Sequence, residues 1–458
     1  MKRISRFLAI GGMMAAATFA NAQNSNSGYF IDGYTFRYQL NPAFAGMHGF
    51  VAIPGLGNVN AGIRGNLGVS DVLYKVDGRT ALFTNPKVGV SEFLDKVKDR
   101  SKFMVDTRVN ILGVGFKAFG GYNAVTVGVR AHAGVGIPKT LFELAKNGVH
   151  NDSYDIKDMQ AHANAYAEIA FNHSRFIDQL PGLRAGVAVK FLVGAGNVDA
   201  YFNEANLTLG TDSWIARTNA EVYASMPKMQ FEEDVNKNGN RYVSGVNFDG
   251  TGGIKPQGYG AAIDLGASYH WNDFDFSASV LDLGFISYSN TKLATTNGTR
   301  VVDTDSFIFS PDDDAPNSFE NEMDRLGDDL KNLYELDNAG DIGSRTVGLG
   351  ATLNLGAQYT LPMYKPVKFG LLYTGHFNGD MTWNEARLSA NYAPCKVFAI
   401  GVNGWAGTFG VGYGWIISVH PKGFNLFLSS DASLGKVAKQ FVPLSSNAQF
   451  NFGITFPF

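Results

Sequence analysis

The chain has 458 residues with 38 basic and 41 acidic side chains, a net charge of −3. Only 17% of residues are charged, against roughly a quarter in an ordinary soluble protein. Aromatic residues reach 13% while mean hydropathy is −0.07, which excludes an intrinsically disordered chain. The near-balanced charge carries no nucleic-acid footprint. Beyond the N-terminus no stretch approaches about 20 uninterrupted apolar residues, which excludes a helical membrane protein.

The N-terminus reads as an export signal. Lys2, Arg3 and Arg6 precede an apolar run from Phe7 to Ala20, and Ala20-Asn21-Ala22 supplies the small-x-small pattern that signal peptidase accepts. Cleavage is expected after Ala22, so that residues 1–22 are removed. The apolar run is too short for a transmembrane anchor, and no Cys follows it to carry a lipid. Cys395 is the sole cysteine, so no internal disulfide framework exists. Residues 23–57 form an N-terminal segment bearing Gly and Pro, which would act as a plug inside a barrel occupying 58–458.

The barrel is read from alternation. Phe450, Phe452, Ile454, Phe456 and Phe458 lie on one face of the last segment, with Asn451, Gly453 and Thr455 on the other. A terminal aromatic on such a strand resembles the signal by which outer-membrane barrels are recognised, so Phe458 is expected to engage the barrel assembly machinery. The same code recurs upstream. Val347 through Tyr359 oppose Thr346 through Gln358, and Tyr259 through Trp271 oppose Gly260 through His270. Phe409 through Val419 follow suit with Ile416 as the exception, and Val125 through Val135 oppose Thr126 through Gly134. Tyr259, Trp271, Tyr359 and Phe409 fall near strand ends, where a membrane girdle belongs.

Sixteen candidate strands result: 58–68, 104–119, 122–135, 160–173, 182–195, 197–210, 212–225, 258–271, 273–288, 345–361, 367–377, 383–393, 396–404, 408–420, 423–431 and 447–458. Two of these are expected to merge, because bacterial barrels close with an even number of strands. The predicted fold is all-β, a transmembrane antiparallel β-barrel of about fourteen strands, with sixteen as the alternative and short helices in its loops. One helix is predicted within 86–102, capped by Ser91, and one over 138–148 between Pro138 and Gly148. Residues 311–341 hold eleven acidic side chains against Arg325 and Lys331, and Met323, Leu326, Leu330 and Leu333 share a helical face there.

Chemical motifs are sparse. Asp234-Val-Asn-Lys-Asn-Gly239 matches the first half of a calcium loop, but the position that needs a bidentate Glu is Gly245, so the stretch through Asn240 reads as a polar hairpin turn. Gly134 to Thr140 departs from a phosphate loop at Pro138, which lacks an amide donor. No H-E-x-x-H, G-x-S-x-G or Cys-x-x-Cys occurs. No catalytic, metal or cofactor residue is assigned, and no enzyme activity is expected. His132, His162, His270, His376 and His420 fall on predicted inward faces as hydrogen-bonding residues. Inward charges are mixed in sign: Arg130, Arg184, Lys190, Arg217, Lys368 and Arg387 against Glu168, Glu221, Asp264 and Glu385. Such charges pair across a lumen, which favours a filled interior over a wide aqueous pore.

Several stretches together resemble one family: Tyr34 to Ala45 with its Leu40-Asn41-Pro42-Ala43-Phe44-Ala45-Gly46 element, Val51 to Asn58, Ile137 to Phe142, Tyr154 to Asp158, Ala163 to Glu168 and Lys190 to Gly194. They are similar to an uncharacterised outer-membrane barrel family of Bacteroidota, a domain of unknown function. That resemblance implies an outer-membrane barrel and transfers no activity. Asn41-Pro42-Ala43 is shared more loosely with FadL-like barrels, which pass hydrophobic compounds, and with PorP/SprF-like barrels, associated with type IX secretion and gliding. Two functions are expected: a passive transporter of hydrophobic or amphipathic solutes, with segment 29–57 as a plug or hatch, or a structural barrel that docks a surface or periplasmic protein, as the acidic insertion 311–341 and the lack of a single-sign pore suggest. Its surroundings would be outer-membrane lipid, with no nucleic-acid partner.

Overall fold

The computed structural model describes residues 26–46, 48–148, 153–209, 214–236, 239–248, 255–303, 333, 335–434 and 447–458. The expected leader 1–22, most of the acidic stretch 311–341 and residues 237–238 of the calcium-like loop lie outside the described residues.

Fourteen antiparallel staves close into a barrel. In chain order they are β1 (Phe50–Ala52, continued by Asn58–Gly65), β2 (Arg100–Ala118), β3 (Gly121–Pro138), β4 (Met159–Phe176), β5 (Leu183–Leu209), β6 (Gly258–Trp271) and β7 (Phe274–Tyr288). The second half comprises β8 (Arg345–Gly348 and Ala351–Thr360), β9 (Val367–Phe377), β10 (Trp383–Cys395), β11 (Phe398–Gly407), β12 (Gly410–Val419), β13 (Asn425–Ser433) and β14 (Ala448–Pro457). The first and last staves pair, Phe50 with Pro457 and Val59 with Phe452, so the ring itself has no free edge there. The barrel starts at Phe50, eight residues before the expected boundary, because Ile53 to Gly57 interrupt the alternation that marks a strand.

Sixteen candidates become fourteen staves in two ways. Segments 182–195 and 197–210 are one strand of 27 residues, β5. Segment 212–225 (Trp214–Ser225) is collinear with β6: both pair antiparallel with β5, Ser225 opposite Asn197 and Gly258 opposite Gly194. The sixth stave is thus built from two pieces, and residues 226–257 leave between them. That excursion carries a separate hairpin, Met229–Val235 with Arg241–Phe248, whose tip holds the calcium-like stretch.

The turns divide the barrel into two ends. At one end connections are tight. Phe119 (φ 57°) and Gly120 (φ 70°) link β2 to β3 with positive φ at both central positions, the turn that matches hairpin twist. At the other end lie the longer excursions, including helices α1 (Val69–Val72), α2 (Val90–Leu94) and α3 (Lys139–Asn147). Helix α3 starts after Pro138 and stops at Gly148 (φ 70°), as its sequence predicts. Helix α2 is capped by Gly89 with no side-chain bond, so Ser91 lies inside the helix rather than opening it. Phe83, Phe93 and Phe142 pack these pieces into a small apolar cap.

The outer wall is apolar where a bilayer needs it. Val129, Phe171, Val189, Leu265, Leu355, Leu388, Val402 and Val411 are exposed outward, while Thr126, Asn172, Asp264, Asn354 and Asn451 point in and are buried. Trp271, Phe274 and Tyr359 cluster by the tight-turn end, 4.9 Å separating the Phe274 and Tyr359 rings, and form part of an aromatic girdle. Among the described residues no helix is long and apolar enough to cross a membrane.

The last residue closes the tight-turn end: the Phe458 amide donates to the Gly49 carbonyl at 2.9 Å. Deleting Phe458 is expected to lower the fraction of heat-modifiable, folded barrel recovered in outer-membrane fractions by severalfold. An unchanged fraction would remove the assembly role expected of this residue.

Candidate functional site

The lumen is occupied by the chain's own N-terminal segment. Residues 26–46 run from near the long-loop ends of β9, β10 and β13, where Asn26 and Ser27 bond Thr374, Glu385 and Asp431, to the tight-turn end, as two short 3₁₀ turns, Asn26–Gly28 and Arg37–Gln39, joined by tight bends. Tyr29, Phe30, Ile31, Tyr34, Phe36, Tyr38 and Leu40 are all buried. Each such side chain contributes about 1.5–3 kcal/mol when withdrawn from water. They meet apolar residues that break the polar inner wall: Tyr122, Leu372, Ala399, Ile416 and Phe427. Ile416, the one departure from alternation in β12, is therefore the seat of this segment rather than an irregularity. The Tyr34 and Phe427 rings meet edge-to-face at 4.8 Å.

A segment without strand or long helix must find partners for its carbonyls elsewhere. The inner wall supplies them. Leu40 O accepts from Ser279 Oγ (2.9 Å) and Asn354 Nδ2 (3.0 Å), Phe30 O from Gln358 Nε2 (3.1 Å), and Gly33 O from Ser418 Oγ (3.0 Å) and Asn425 Nδ2 (2.9 Å). Asn41 Nδ2 donates to the carbonyls of Ala267 and Ala278, both at 3.1 Å, so the Asn41-Pro42-Ala43 element is stitched to β6 and β7. Two inward glycines admit it. A Cβ at Gly186 would collide with the Pro42 backbone, and one at Gly266 with Asn41 Oδ1.

Above and beside this plug the charges pair. Arg130 bridges Glu168 (2.7 Å) and Asp282 (2.8 Å), Arg108 reaches Glu168 (2.8 Å), and Lys190 lies 2.5 Å from both Asp264 and Asp282. Three basic groups face three carboxylates, so this belt is neutral. A second knot holds the start of the plug. Asn26 Nδ2 and Arg387 Nη2 both donate to Glu385 Oε1 at 2.9 Å, while Ser27 and Arg387 converge on Asp431. Nearer the long-loop end, His132 Nδ1 donates to Asp106 (2.5 Å), and His162 and Arg345 share Asp199.

The structure brings together Arg130, Lys190, Glu168 and Asp264 in one belt, Arg387 and Glu385 in the second knot, and Lys368 onto Asp32 of the plug at 3.1 Å. Arg184 bonds Ser174, and Glu221 accepts from Tyr223 on the upper piece of the sixth stave. Other expectations are corrected. Arg217 is exposed, because its strand lies above the ring and is bulged at Asn219/Ala220. His270 sits at the tight turn, exposed, 2.7 Å from Asp275. Val347 and Leu349 turn inward because Gly350 (φ 78°) reverses the phase of β8; they pack on Tyr166, Leu192, Ile286 and Tyr288. Phe409 packs against Met104, Met381 and Trp383 and leaves the girdle. Asp282, central to the belt, sits at φ 59° beside the Ile263/Leu265 register shift, where counting by twos fails. Among the described residues no group of His, Cys, Asp or Glu is arranged to hold a metal.

Two outcomes follow. Gly186→Val is expected to unseat the plug while leaving the ring closed, read as new trypsin cleavage after Arg37 in folded protein. Glu168→Gln leaves Arg108 and Arg130 short of a buried partner, at a cost of about 3–5 kcal/mol, measured as a lowered denaturation midpoint of the detergent-extracted barrel.

Comparison with solved structures returns outer-membrane barrels at low identity. The P. putida toluene transporter TodX is 8% identical, with 91% of this chain and 92% of that one covered and a TM-score of 0.39. The Ralstonia pickettii toluene transporter TbuX is 9% identical, covering 92% of each chain, with a TM-score of 0.40. The translocator domain of the autotransporter NalP from Neisseria meningitidis is 9% identical, covering 90% and 89%, with a TM-score of 0.29. No curated protein matches the chain. The model of a family of unknown function, DUF5723, matches residues 42–431, from the Asn41-Pro42-Ala43 element to the Asp431 knot, and the chain belongs to that family.

Proposed function

We propose that this protein is a passive outer-membrane channel for small hydrophobic or amphipathic solutes, held shut at rest by its N-terminal segment. The carrying observation is that residues 26–46 contribute nothing to ring closure, which β1 and β14 accomplish alone, yet touch staves around the whole circumference. A segment that fills the lumen without being part of the ring can leave it without opening the barrel, which is what a conduit needs of a stopper. The inner wall also carries an apolar patch, Tyr166, Leu192, Ile286 and Tyr288, beside the break in the sixth stave. Such a surface suits an apolar solute and would be out of place in a pore for ions. The paired charges add no single-sign ring.

Thr35 Oγ1 and Thr455 Oγ1 lie 3.2 Å apart, one on the plug and one on β14. The double variant Thr35→Cys/Thr455→Cys, in a Cys395→Ser background, locks the plug when oxidised. Proteoliposomes bearing it are expected to pass a hydrophobic dye only after reduction. Equal passage by the oxidised and reduced forms would defeat the reading.

A docking barrel of the PorP/SprF-like kind is the second reading. It is favoured by the projecting hairpin of residues 229–248 and the apolar cap of α1 to α3, both on the long-loop side. In-cell cross-linking from Glu232→Cys that captures one specific protein, together with unaltered dye uptake in a deletion strain, would turn the assignment to docking.

A further inference from the structure

Three successive connections at the tight-turn end set a lysine beside exposed apolar residues: 361–366 between β8 and β9, 396–397 between β10 and β11, and 420–424 between β12 and β13. Met363, Tyr364 and Lys365 stand exposed in the first, Lys396 and Val397 in the second, Lys422 and Phe424 in the third. They form one continuous ledge. The Ala393 amide donates to the Pro366 carbonyl and the His420 amide to the Val397 carbonyl, both at 2.9 Å, so each connection is held to the next along the rim. The Tyr364 and Tyr392 hydroxyls, 3.2 Å apart, tie the first connection to the outward face of β10. No Asp or Glu stands in 361–366, 393–397 or 420–424, so the ammonium groups are uncompensated within the ledge. Elsewhere at the same end carboxylates intervene, Asp178 between β4 and β5 and Asp273 between β6 and β7.

We propose that this ledge is a binding surface for anionic phospholipid headgroups in the leaflet that meets the tight turns. Connection 361–366 leaves the wall directly after Tyr359 of the aromatic girdle, at the level where hydrocarbon gives way to headgroups. A single exposed apolar tip is ordinary. Its recurrence beside a lysine in three neighbouring turns, with Met363 89% exposed, describes a surface made for an interface that is apolar on one side and charged on the other. Lysine suits that level because its methylene stem lies along apolar surface while the ammonium reaches for phosphate. The Tyr364 and Tyr392 hydroxyls add hydrogen-bonding groups beside Lys365. An apolar rim alone would anchor the barrel without choosing among lipids; the lysines supply the choice, since net negative headgroups are drawn to them and zwitterionic ones are not. Short turns face the periplasm in barrels of this kind, so the leaflet concerned is the phospholipid one. The proposal concerns the outer rim and is independent of what the lumen passes.

Cys395, the sole cysteine and exposed, lies within the ledge and serves as the reporter. The whole protein, carrying a fluorophore on Cys395, is reconstituted into phosphatidylcholine vesicles. These contain the same minor fraction of chain-brominated phosphatidylglycerol or of chain-brominated phosphatidylcholine. Quenching by the brominated phosphatidylglycerol is expected to be at least about threefold stronger, with the preference shrinking as salt rises. Equal quenching by the two lipids would overturn the proposal, and a cross-link from Cys395 to one acidic periplasmic protein in cells would then assign the ledge to that protein. The triple variant Lys365→Gln/Lys396→Gln/Lys422→Gln, with folding checked by heat-modifiability, is expected to lose the preference. Its retention would remove the lysines from the account. A reference label at Gln179→Cys, in a Cys395→Ser background, reads the other side of the rim. It is expected to show no preference, and a preference equal to that at Cys395 would overturn the assignment to this ledge.

Discussion

Everything in this molecule depends on closing the sheet: Phe50 against Pro457 and Val59 against Phe452. Within a bilayer an unpaired backbone N–H or C=O costs several kcal/mol, so a strand ring has to be complete. Closure then dictates the alternation along every stave, apolar outward and polar inward. With fourteen staves it also creates an interior too wide for side chains alone to fill. The neutral ionic belt and the N-terminal segment are two answers to that one problem. The belt spans gaps between staves with long Arg and Lys side chains. The segment fills the tight-turn end with seven large apolar side chains and hands its carbonyls to inward Asn, Gln and Ser.

The ring is legible in the sequence because its signal is local. Alternation in β3, β6, β12 and β14 assigns their faces from neighbours two residues apart, and the terminal Phe450 to Phe458 series is the clearest instance. What escapes is every feature set by partners distant in the chain. Gly194-Ala195-Gly196 looks like a turn between two strands, yet β5 runs through it because β4 holds it on one side and both pieces of the sixth stave on the other. Gly350 shifts the phase of β8 by a local backbone change that composition does not announce.

The interior is legible in kind but not in detail. Mixed inward charge correctly implies pairing, and Arg130, Lys190, Glu168 and Asp264 do pair. Asp282 joins them from a bulge, whereas Asp106, Asp199 and Asp431 lie in phase with the inward faces of their strands, beside Met104 and Arg108, Asn197, and Phe427 and Ser429. Ile416 carries a usable hint: an apolar residue on a polar face marks a place where something apolar arrives from inside. Tyr122, Leu372 and Phe427 share that property, and the four together outline the plug's seat.

The two-piece sixth stave has a consequence for engineering. Residues 226–257 depart opposite Asn197 and return opposite Gly194, partners on one continuous strand about 10 Å apart. Because β5 runs unbroken past both pieces and holds each in register, the cargo between them does not set the circumference of the ring. A foreign domain whose own termini lie that close together should graft between Ser225 and Gly258 as readily as the native hairpin, turning the barrel into a display scaffold.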